Sequence, residues 1–422
     1  MADWPVVELG NKTPLEYART PNMDRIASQG ILGLTHTIPE GFPSGSDVGT
    51  MSLLGYDPRR YHTGRSPIEA ASMGVELGPE DIAFRCNLVT LGANDNGQEI
   101  MVDFAADHIT SEEAAALIKT IHTELGGKEV EFHPGVSYRH LMVWHGGKEK
   151  MNTTPPHDIT GQPTQGQFPE GDGAERLRTL MEQSREILAN HPVNKRRQAS
   201  GHKPATSIWL WGQGRRPAVP TIQQQFGLAG SVISAVDLVR GIGILAGLEV
   251  VNVPGATGFL DTNYLGKGHY GLESLRHKDF LFLHVEATDE AGHMGAADKK
   301  VQALQDFDEK VVGTILHGLH EFPAWRVLLM PDHATPVAIK THSSDPVPFA
   351  ILSSEDVKKG HSTSMGYNES CARATGLVVP EAWTIMERFI RGAAPRPLVG
   401  EREASWTEIL LSKSCGSRKR RR

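Results

Sequence analysis

FLFLHVEATDEAGH, residues 280–293, decides the fold. Its first six residues are almost wholly apolar, too few for a helix buried on all sides, and they lack the alternation of a half-exposed strand. They predict a short strand buried on both faces, followed by a polar loop. Outward from there the pattern repeats. A helix carrying Val301, Leu304, Val311, Ile315 and Leu319 leads to a strand at 326–330, RVLLM, and then to another at 348–352, PFAIL. On the N-terminal side, residues 231–246 read as a helix that leads to a strand at 248–253. Buried apolar strands separated by amphipathic helices predict an α/β fold with a mostly parallel sheet and helices on both faces.

The first half has a different texture. Thr20-Pro21 opens a helix with Met23, Ile26 and Ala27 on its apolar stripe and Gly30 as its stop, and a second helix begins near Ser46. Residues 82–91 and 139–144 predict strands, and residues 112–125 predict a helix. Residues 151–173 predict an exposed loop, residues 174–190 a helix, and residues 207–211, SIWLW, a short buried strand. At 422 residues the chain exceeds what one hydrophobic core usually serves, so at least two domains are expected.

Charge and cysteine content narrow the class. With 43 basic and 50 acidic residues the net charge is −7, which argues against a nucleic-acid binder. Cys86, Cys371 and Cys415 are too few and too scattered for a disulfide framework and fit a reducing compartment. No apolar run reaches the roughly 18 residues of a membrane helix, and the opening MADWPVVELG is too polar for a signal peptide. The expectation is a soluble cytoplasmic enzyme with neither nucleic acid nor membrane as partner. The C-terminal SRKRRR reads as a solvated basic tail.

Three loops after predicted strands concentrate metal-binding chemistry. FLFLHV is followed by Asp289 and His293, RVLLM by Asp332 and His333, and His342 stands shortly before the PFAIL strand. Open α/β sheets place their sites at the carboxyl ends of strands. Carboxylates mixed with imidazoles suit Mn²⁺ or Zn²⁺ better than Ca²⁺. One Asp-His pair alone would read as surface polarity, but three such loops within 54 residues read as a metal site. Gly45-Ser46-Asp47-Val48-Gly49 adds a hydroxyl at a helix N-terminus, where anions are favoured; taken alone, Ser46 reads as an N-cap. Arg65, Arg85, Arg139, His157-Asp158, Arg197 and Lys267 could serve a phosphate or carboxylate, although each singly reads as a surface charge. Gly241, Gly243 and Gly247 imitate a dinucleotide fingerprint, but they end a helix instead of opening one, so close helix packing is the better account.

The candidate site residues, Arg139 and Arg197 excepted, lie in longer stretches, which with SIWLWGQG are TPNMDRIASQG, PSGSDVGTMSLLGYDP, GRSPIEA, DIAFRCNLVT, PPHDITG, VPGATGFLDTNYLGK, HVEATDEAGH, PDHATPV and THSSDPVPF. On them the chain resembles the archaeal-type cofactor-independent (2,3-bisphosphoglycerate-independent) phosphoglycerate mutases of the alkaline phosphatase superfamily. The resemblance implies an alkaline-phosphatase-like α/β domain in two parts, residues 1–75 and 216–395, interrupted by a smaller inserted α/β substrate domain at 76–215. Residues 396–422 would form a C-terminal extension. It implies two divalent metal ions, Mn²⁺ before Zn²⁺ or Mg²⁺, and no 2,3-bisphosphoglycerate. Asp289, His293 and His342 would hold one ion. Asp332, His333 and Ser46 would hold the other, with Ser46 also the nucleophile that carries the phosphoryl group between the 3- and 2-positions of glycerate. Arg65, Arg85, Arg139, His157, Asp158, Arg197 and Lys267 would contact the small phosphorylated substrate.

One departure stands out. Members of that family begin with a buried strand ending in Asp-Gly just before the continuation that is here Met1-Ala2-Asp3. That strand, typically about five or six residues, and an aspartate of the Ser46 metal site are absent, which points to a start placed too late. Alternative functions are a homoserine kinase-like phosphotransferase, a metal-dependent phosphatase, or an inactive scaffold.

Overall fold

A computed structural model describes residues 1–392; the expected extension at 396–422, with its basic tail, lies outside the described residues. The described residues form two compact units, one built from Met1–His62 and residues 219–392, the other from Thr63–Ala218.

In the opening segment Thr20 precedes the helix Pro21–Gln29, whose Met23, Ile26 and Ala27 are buried. Gly30 ends it for a packing reason: a Cβ there would lie 2.1 Å from the carbonyl oxygen of Ile351. The chain then forms β1 (Ile31–Thr35), a strand the sequence pattern did not single out because Gly33 interrupts it. Gly33 leaves room for Phe349 and Leu377, whose side chains a Cβ would meet at 2.8 Å. The helix Ser46–Leu53 follows.

The second unit contains β2 (Ile82–Ala93), β3 (Glu99–Asp103), β4 (Val130–His133), β5 (Arg139–Trp144), β6 (Met151–Asn152), β7 (Glu170–Gly171) and β8 (Ser207–Gly214). The long strand β2 pairs with β3, β5 and β8, and β4 pairs with β5, every pairing antiparallel. Helices Ser111–Leu125 and Ala174–Asn190 supply Leu117, Ile121, Leu177 and Leu180 to a core shared with Phe84, Met142 and Trp209. The predicted loop at 151–173 holds the small β6–β7 ladder and the single turn Pro156–Ile159.

The first unit resumes with β9 (Gly230–Ile233), β10 (Glu249–Val250), β11 (Phe280–Leu283), β12 (Arg326–Leu329), β13 (Val347–Ser353) and β14 (Val378–Val379). They form two sheets, ordered β10-β9-β11 and β12-β13-β1-β14. The predicted helix at 231–246 is corrected: Ser231, Val232 and Ile233 belong to β9, and the helix is Asp237–Leu245. The β-branched pair Val232-Ile233 packs well on a pleated surface, and Asp237 supplies acid to the first turn of the helix. Gly243 of that helix would place a Cβ 2.6 Å from Val232, so this glycine serves close packing of helix on strand.

Parallelism is only partial. β9, β10 and β11 are parallel, as are β1 and β14, but β13 runs antiparallel to both β12 and β1. Residues 331–346, between β12 and β13, contain no helix to carry a crossover, so the chain turns back at the same end of the sheet. Among the described residues β11 and β12 each pair on one side only. A cavity of about 550 Å³ lies between them, lined by residues from Asp279 to Glu286 and from Ala324 to His333. Among the described residues no helix is long and apolar enough to cross a membrane.

Candidate active site

The antiparallel return of β13 decides where the site forms. Asp332 and His333 directly follow β12, and His342 precedes β13 on the same connection, so all three lie at one end of the sheet. Asp289 and His293, on the helix Ala287–His293 after β11, reach the same place. His293 Nε2 stands 3.1 Å from Asp289 Oδ2 and 2.9 Å from His342 Nε2. His342 Nε2 lies 3.4 Å from Asp289 Oδ1. One ligand atom from each of Asp289, His293 and His342 falls within 4.8 Å of the others.

The far nitrogens explain what this triad is fitted to hold. His293 Nδ1 donates to the Lys340 carbonyl at 3.0 Å and His342 Nδ1 to the Ser44 carbonyl at 3.1 Å. With Nδ1 carrying the proton in both neutral rings, two Nε2 lone pairs and a carboxylate converge with no proton between them. That donor set repels itself unless a cation or an added proton sits within it. The titration behaviour has the same cause. Asp289 holds His293 up to about 9 and also raises His342, whose burial acts in the opposite direction. Burial opposes the charge of Asp289, yet His293, His342 and Thr335 hold its carboxyl far below the usual range.

Asp332, His333 and Ser46 form the adjoining set. His333 is 2% exposed. Its Nε2 lies 3.1 Å from Ser46 Oγ and 3.3 Å from Asp332 Oδ2. Burial lowers its basicity, consistent with a neutral ring able to offer a lone pair. Asp332 Oδ2 is buried with no hydrogen-bond partner, an orphaned acceptor of the kind a metal ion satisfies. Thr335 joins the two sets, since its Oγ1 donates to Asp289 Oδ1 and lies 3.3 Å from His333 Nδ1. His333 and His342 also stack, with ring centroids 3.9 Å apart. Both donor sets therefore fit divalent cations.

Ser46 is not an N-cap. Gly45 holds that position in extended conformation, and Ser46 is the first helical residue, with its hydroxyl on His333 instead of the helix backbone. Two glycines let the helices that carry Ser46, Asp289 and His293 close onto the loop after β12. A Cβ on Gly49 would meet the Asp332 carbonyl oxygen at 2.5 Å, and one on Gly292 would meet the Thr335 carbonyl oxygen at 2.4 Å.

Asp3 has another role. Its Oδ2 receives a 2.7 Å bond from Lys300 Nζ, and both side chains are fully buried. Lys300 also donates to the carbonyls of Ala2 and Thr335, which ties the opening residues to the loop after β12.

Lys267 is fully buried, and its Nζ donates to the His284 carbonyl at 3.2 Å. Burial lowers its pKa to about 8, partly offset by Glu286. Glu286 in turn lies 3.1 Å from His284 Nε2, and His284 Nδ1 lies 3.1 Å from Ser234 Oγ. The sequence reading missed this relay because none of its members repeats a recognisable spacing.

In the second unit, Arg85 and Arg65 share one carboxylate. Arg85 Nε lies 3.0 Å from Glu69 Oε2, and Arg65 Nε lies 3.3 Å from Glu69 Oε1. Arg85 is opposite Trp211 in the β2–β8 register, and its guanidinium lies over that indole at 4.4 Å. His157 meets Trp211 edge-on, with centroids 5.4 Å apart, and its Nε2 is 3.5 Å from Asp158. Arg139 lies over Tyr138 at 5.6 Å. Burial lowers the pKa of Arg85, with Arg65 and Arg139 adding to the effect against Glu69. The surplus of cations over acid here is what an anionic ligand would balance. Glu69 and Trp211 were missed; Glu69 is four residues after Arg65, a spacing that signals a helical ion pair. Arg197 stands in other company. It is 4% exposed and donates to Glu113 at 2.7 Å and to the carbonyls of Ala106 and Lys203, so its contacts hold this unit together.

Comparison with known proteins bears on this arrangement. The family model for 2,3-bisphosphoglycerate-independent phosphoglycerate mutase matches residues 27–194. A probable 2,3-bisphosphoglycerate-independent phosphoglycerate mutase of Geobacter sulfurreducens is 52% identical over 390 residues, covering 92% of this chain and 97% of that protein. A mutase of the same name from Methanothrix thermoacetophila is 52% identical over 355 residues, 84% of this chain and 88% of the relative. Among solved structures, a Pyrococcus horikoshii protein matches with a TM-score of 0.75 and 29% identity over 94% of this chain and 96% of its own. The cofactor-independent phosphoglycerate mutase of Thermoplasma acidophilum matches at 0.63 and 26%, covering 93% of this chain and 97% of its own. With half its residues shared along nearly the full length of such relatives, the chain belongs to the 2,3-bisphosphoglycerate-independent phosphoglycerate mutases.

Proposed function

We propose that this protein interconverts 3-phosphoglycerate and 2-phosphoglycerate through a phosphoserine at Ser46, with an alkaline-phosphatase-like arrangement of its first unit. The observation that carries the reading is Ser46 Oγ, freed from capping and 3.1 Å from His333 Nε2, beside a convergent set of acids and imidazoles. Asp289, His293 and His342 would hold one divalent cation, and Asp332, His333 and Ser46 a second, with Mn²⁺ the best match to mixed oxygen and nitrogen donors. Bound there, the cations would make the hydroxyl more acidic and neutralise phosphoryl oxygens.

The chain's own residues set the course of the reaction. Ser46 Oγ attacks phosphorus as its proton leaves, and the bond from phosphorus to the 3-oxygen of glycerate breaks, with that oxygen taking up a proton. In the return step the 2-hydroxyl attacks the phosphoserine, and Ser46 Oγ departs and is reprotonated. The N-terminal dipole of the helix Ser46–Leu53 favours the phosphoryl anion. Lys267, with Arg65, Arg85, Arg139, His157 and Asp158, is assigned to the substrate's anionic and hydroxyl groups. Arg197 supports the unit that carries five of these. Exclusion of water during the phosphoserine stage separates transfer from hydrolysis.

The test supplies Mn²⁺ and 3-phosphoglycerate and follows 2-phosphoglycerate by coupled dehydration, with mass spectrometry of the Ser46 peptide after rapid quench. Mutase turnover with phosphate on Ser46, both lost in S46A, is the expected result. ATP-dependent phosphorylation of homoserine, or release of free phosphate alone, would replace the reading.

A further inference from the structure

Glu69 divides its carboxylate between two arginines. Oε1 lies 3.3 Å from Arg65 Nε and Oε2 lies 3.0 Å from Arg85 Nε. Each guanidinium is met at the nitrogen nearest its stem, which leaves the Nη1–Nη2 edge of the fork to a further acceptor. Among the described residues the Nη atoms of Arg65 and Arg85 have no hydrogen-bond partner. For Arg85 this holds although its side chain is only 9% exposed. A buried cation with unused donors marks a place where an oxyanion completes the hydrogen bonding.

The backbone behind these side chains is tightly set. Ala83 is opposite Gly214 and Arg85 is opposite Trp211, so Gly212 and Gln213 of β8 together face Phe84 of β2. Gly212 has a φ of +64°, the left-handed glycine of a β-bulge, and such bulges bend a strand and re-aim its side chains. The chain that carries Arg65 and Glu69 is fastened to this bulge. Ser66 is fully buried and its Oγ donates to the Gly212 carbonyl. A Cβ on Gly64 would lie 2.3 Å from the Gln213 carbonyl oxygen, and one on Gly214 would lie 2.1 Å from the Thr63 carbonyl oxygen. Trp211, which Arg85 covers, is itself fixed by a 3.1 Å bond from its Nε1 to Asn87 Oδ1. The bulge, the close glycine contacts and the buried serine all converge on the group Arg65, Glu69, Arg85 and Trp211.

We infer that Glu69 is a positioning residue for the mutase reaction, aiming the Nη edges of Arg65 and Arg85 at one oxyanion of the substrate. The inference rests on the reaction proposed above. Without Glu69 the two like charges repel, and Arg65, whose side chain is 46% exposed, turns to solvent. The sign of the effect separates aiming from simple electrostatics. A carboxylate beside an anion site repels the anion, so its removal would tighten binding if charge alone mattered. Loss of aim weakens binding instead.

The experiment compares the full chain with its Glu69→Gln and Glu69→Asp variants. Gln keeps the size but gives up the charge, whereas Asp keeps the charge and falls short of one arginine. Affinity for 3-phosphoglycerate is measured by calorimetry after chelation of metal, and turnover is measured with Mn²⁺. Both variants should bind at least about tenfold more weakly, the loss of a charge-assisted contact. KM should rise by a similar factor with kcat within about threefold of the parent, the pattern of lost uniform binding. Equal or tighter binding by the Gln variant overturns the inference, and so does parental affinity in the Asp variant. A lowered melting midpoint with unchanged affinity overturns it too, because Glu69 would then serve the fold alone. Binding is read without turnover, so a parent that binds 3-phosphoglycerate but does not isomerise it removes only the reaction reading, and the two variants still decide the role of Glu69.

Discussion

Gly49→Ala tests whether close packing of the Ser46 helix sets the reaction geometry. A Cβ at this position would lie 2.5 Å from the Asp332 carbonyl oxygen and 3.0 Å from Asp332 Cβ. The contacted atoms are backbone and the base of the Asp332 side chain, so neither can swing aside. Restoring ordinary van der Waals separation moves the helix from the loop by about 1 Å, a displacement on the scale that can cost 100-fold in rate. Ser46 sits one turn earlier on the same helix, and its 3.1 Å contact with His333 would open by a similar amount. Overpacking of this kind costs about 1–3 kcal/mol of stability, which leaves a folded protein to assay. The expected outcome is kcat lowered about 100-fold with KM nearly unchanged, a native circular dichroism spectrum, and Mn²⁺ binding retained at the Asp289 set. A G49A protein with kcat within threefold of the parent would refute the packing argument, because the helix would then have found room without moving Ser46.

Other consequences are equally accessible. His342→Ala removes one of two converging imidazoles from the Asp289 set; Mn²⁺ affinity by calorimetry should fall at least about tenfold, and chelation of the parent should abolish turnover reversibly. Lys267 loses its proton as pH rises through about 8, so activity that uses its charge should decline on that alkaline limb. In Lys267→Met the limb should vanish and KM should rise about 10- to 100-fold, the loss of one charge-assisted contact. Stability moves the other way: the unfolded lysine still binds a proton between about pH 8 and its ordinary 10.5, so unfolding free energy should climb across that window in the parent and not in the variant. Lys300→Met strands Asp3 in a fully buried place and removes a donor from two carbonyls, so urea denaturation should report a loss of about 3–5 kcal/mol, partly restored by adding Asp3→Leu.

Much of the candidate donor set was legible because strand ends announce themselves. FLFLHV and RVLLM are apolar runs that stop abruptly, and the acids and imidazoles after them had to lie beyond the strand ends: Asp332 and His333 do so in a loop, but Asp289 and His293 stand on the helix Ala287–His293 where the pattern predicted a loop. The direction of β13 was not legible. PFAIL reads the same whether it runs up or down, and only the lack of a helix at 331–346 distinguishes the two. A parallel β13 would have put His342 at the opposite end of the sheet from Asp332. β1 escaped notice because its central glycine, needed against Phe349 and Leu377, removes the apolar signal. The cationic group of the second unit was half legible: Arg65 and Arg85 stood out, Glu69, which balances them, showed only the helical spacing from Arg65, and Trp211, which Arg85 covers, owes its role to a register that only pairing fixes. Arg197 looked like its neighbours in sequence, and only its contacts with Glu113 and two carbonyls set it apart.

The uncrossed return from β12 to β13 gathers Asp332, His333, Thr335 and His342 on one continuous ribbon of chain. Opening new termini within that ribbon, as in circular permutation, would sever members of both donor groups from each other at a single cut. Relocating the termini to the turn between β2 and β3 would spare every one of them, so the tolerance of this polypeptide to rewiring should be sharply uneven along its length.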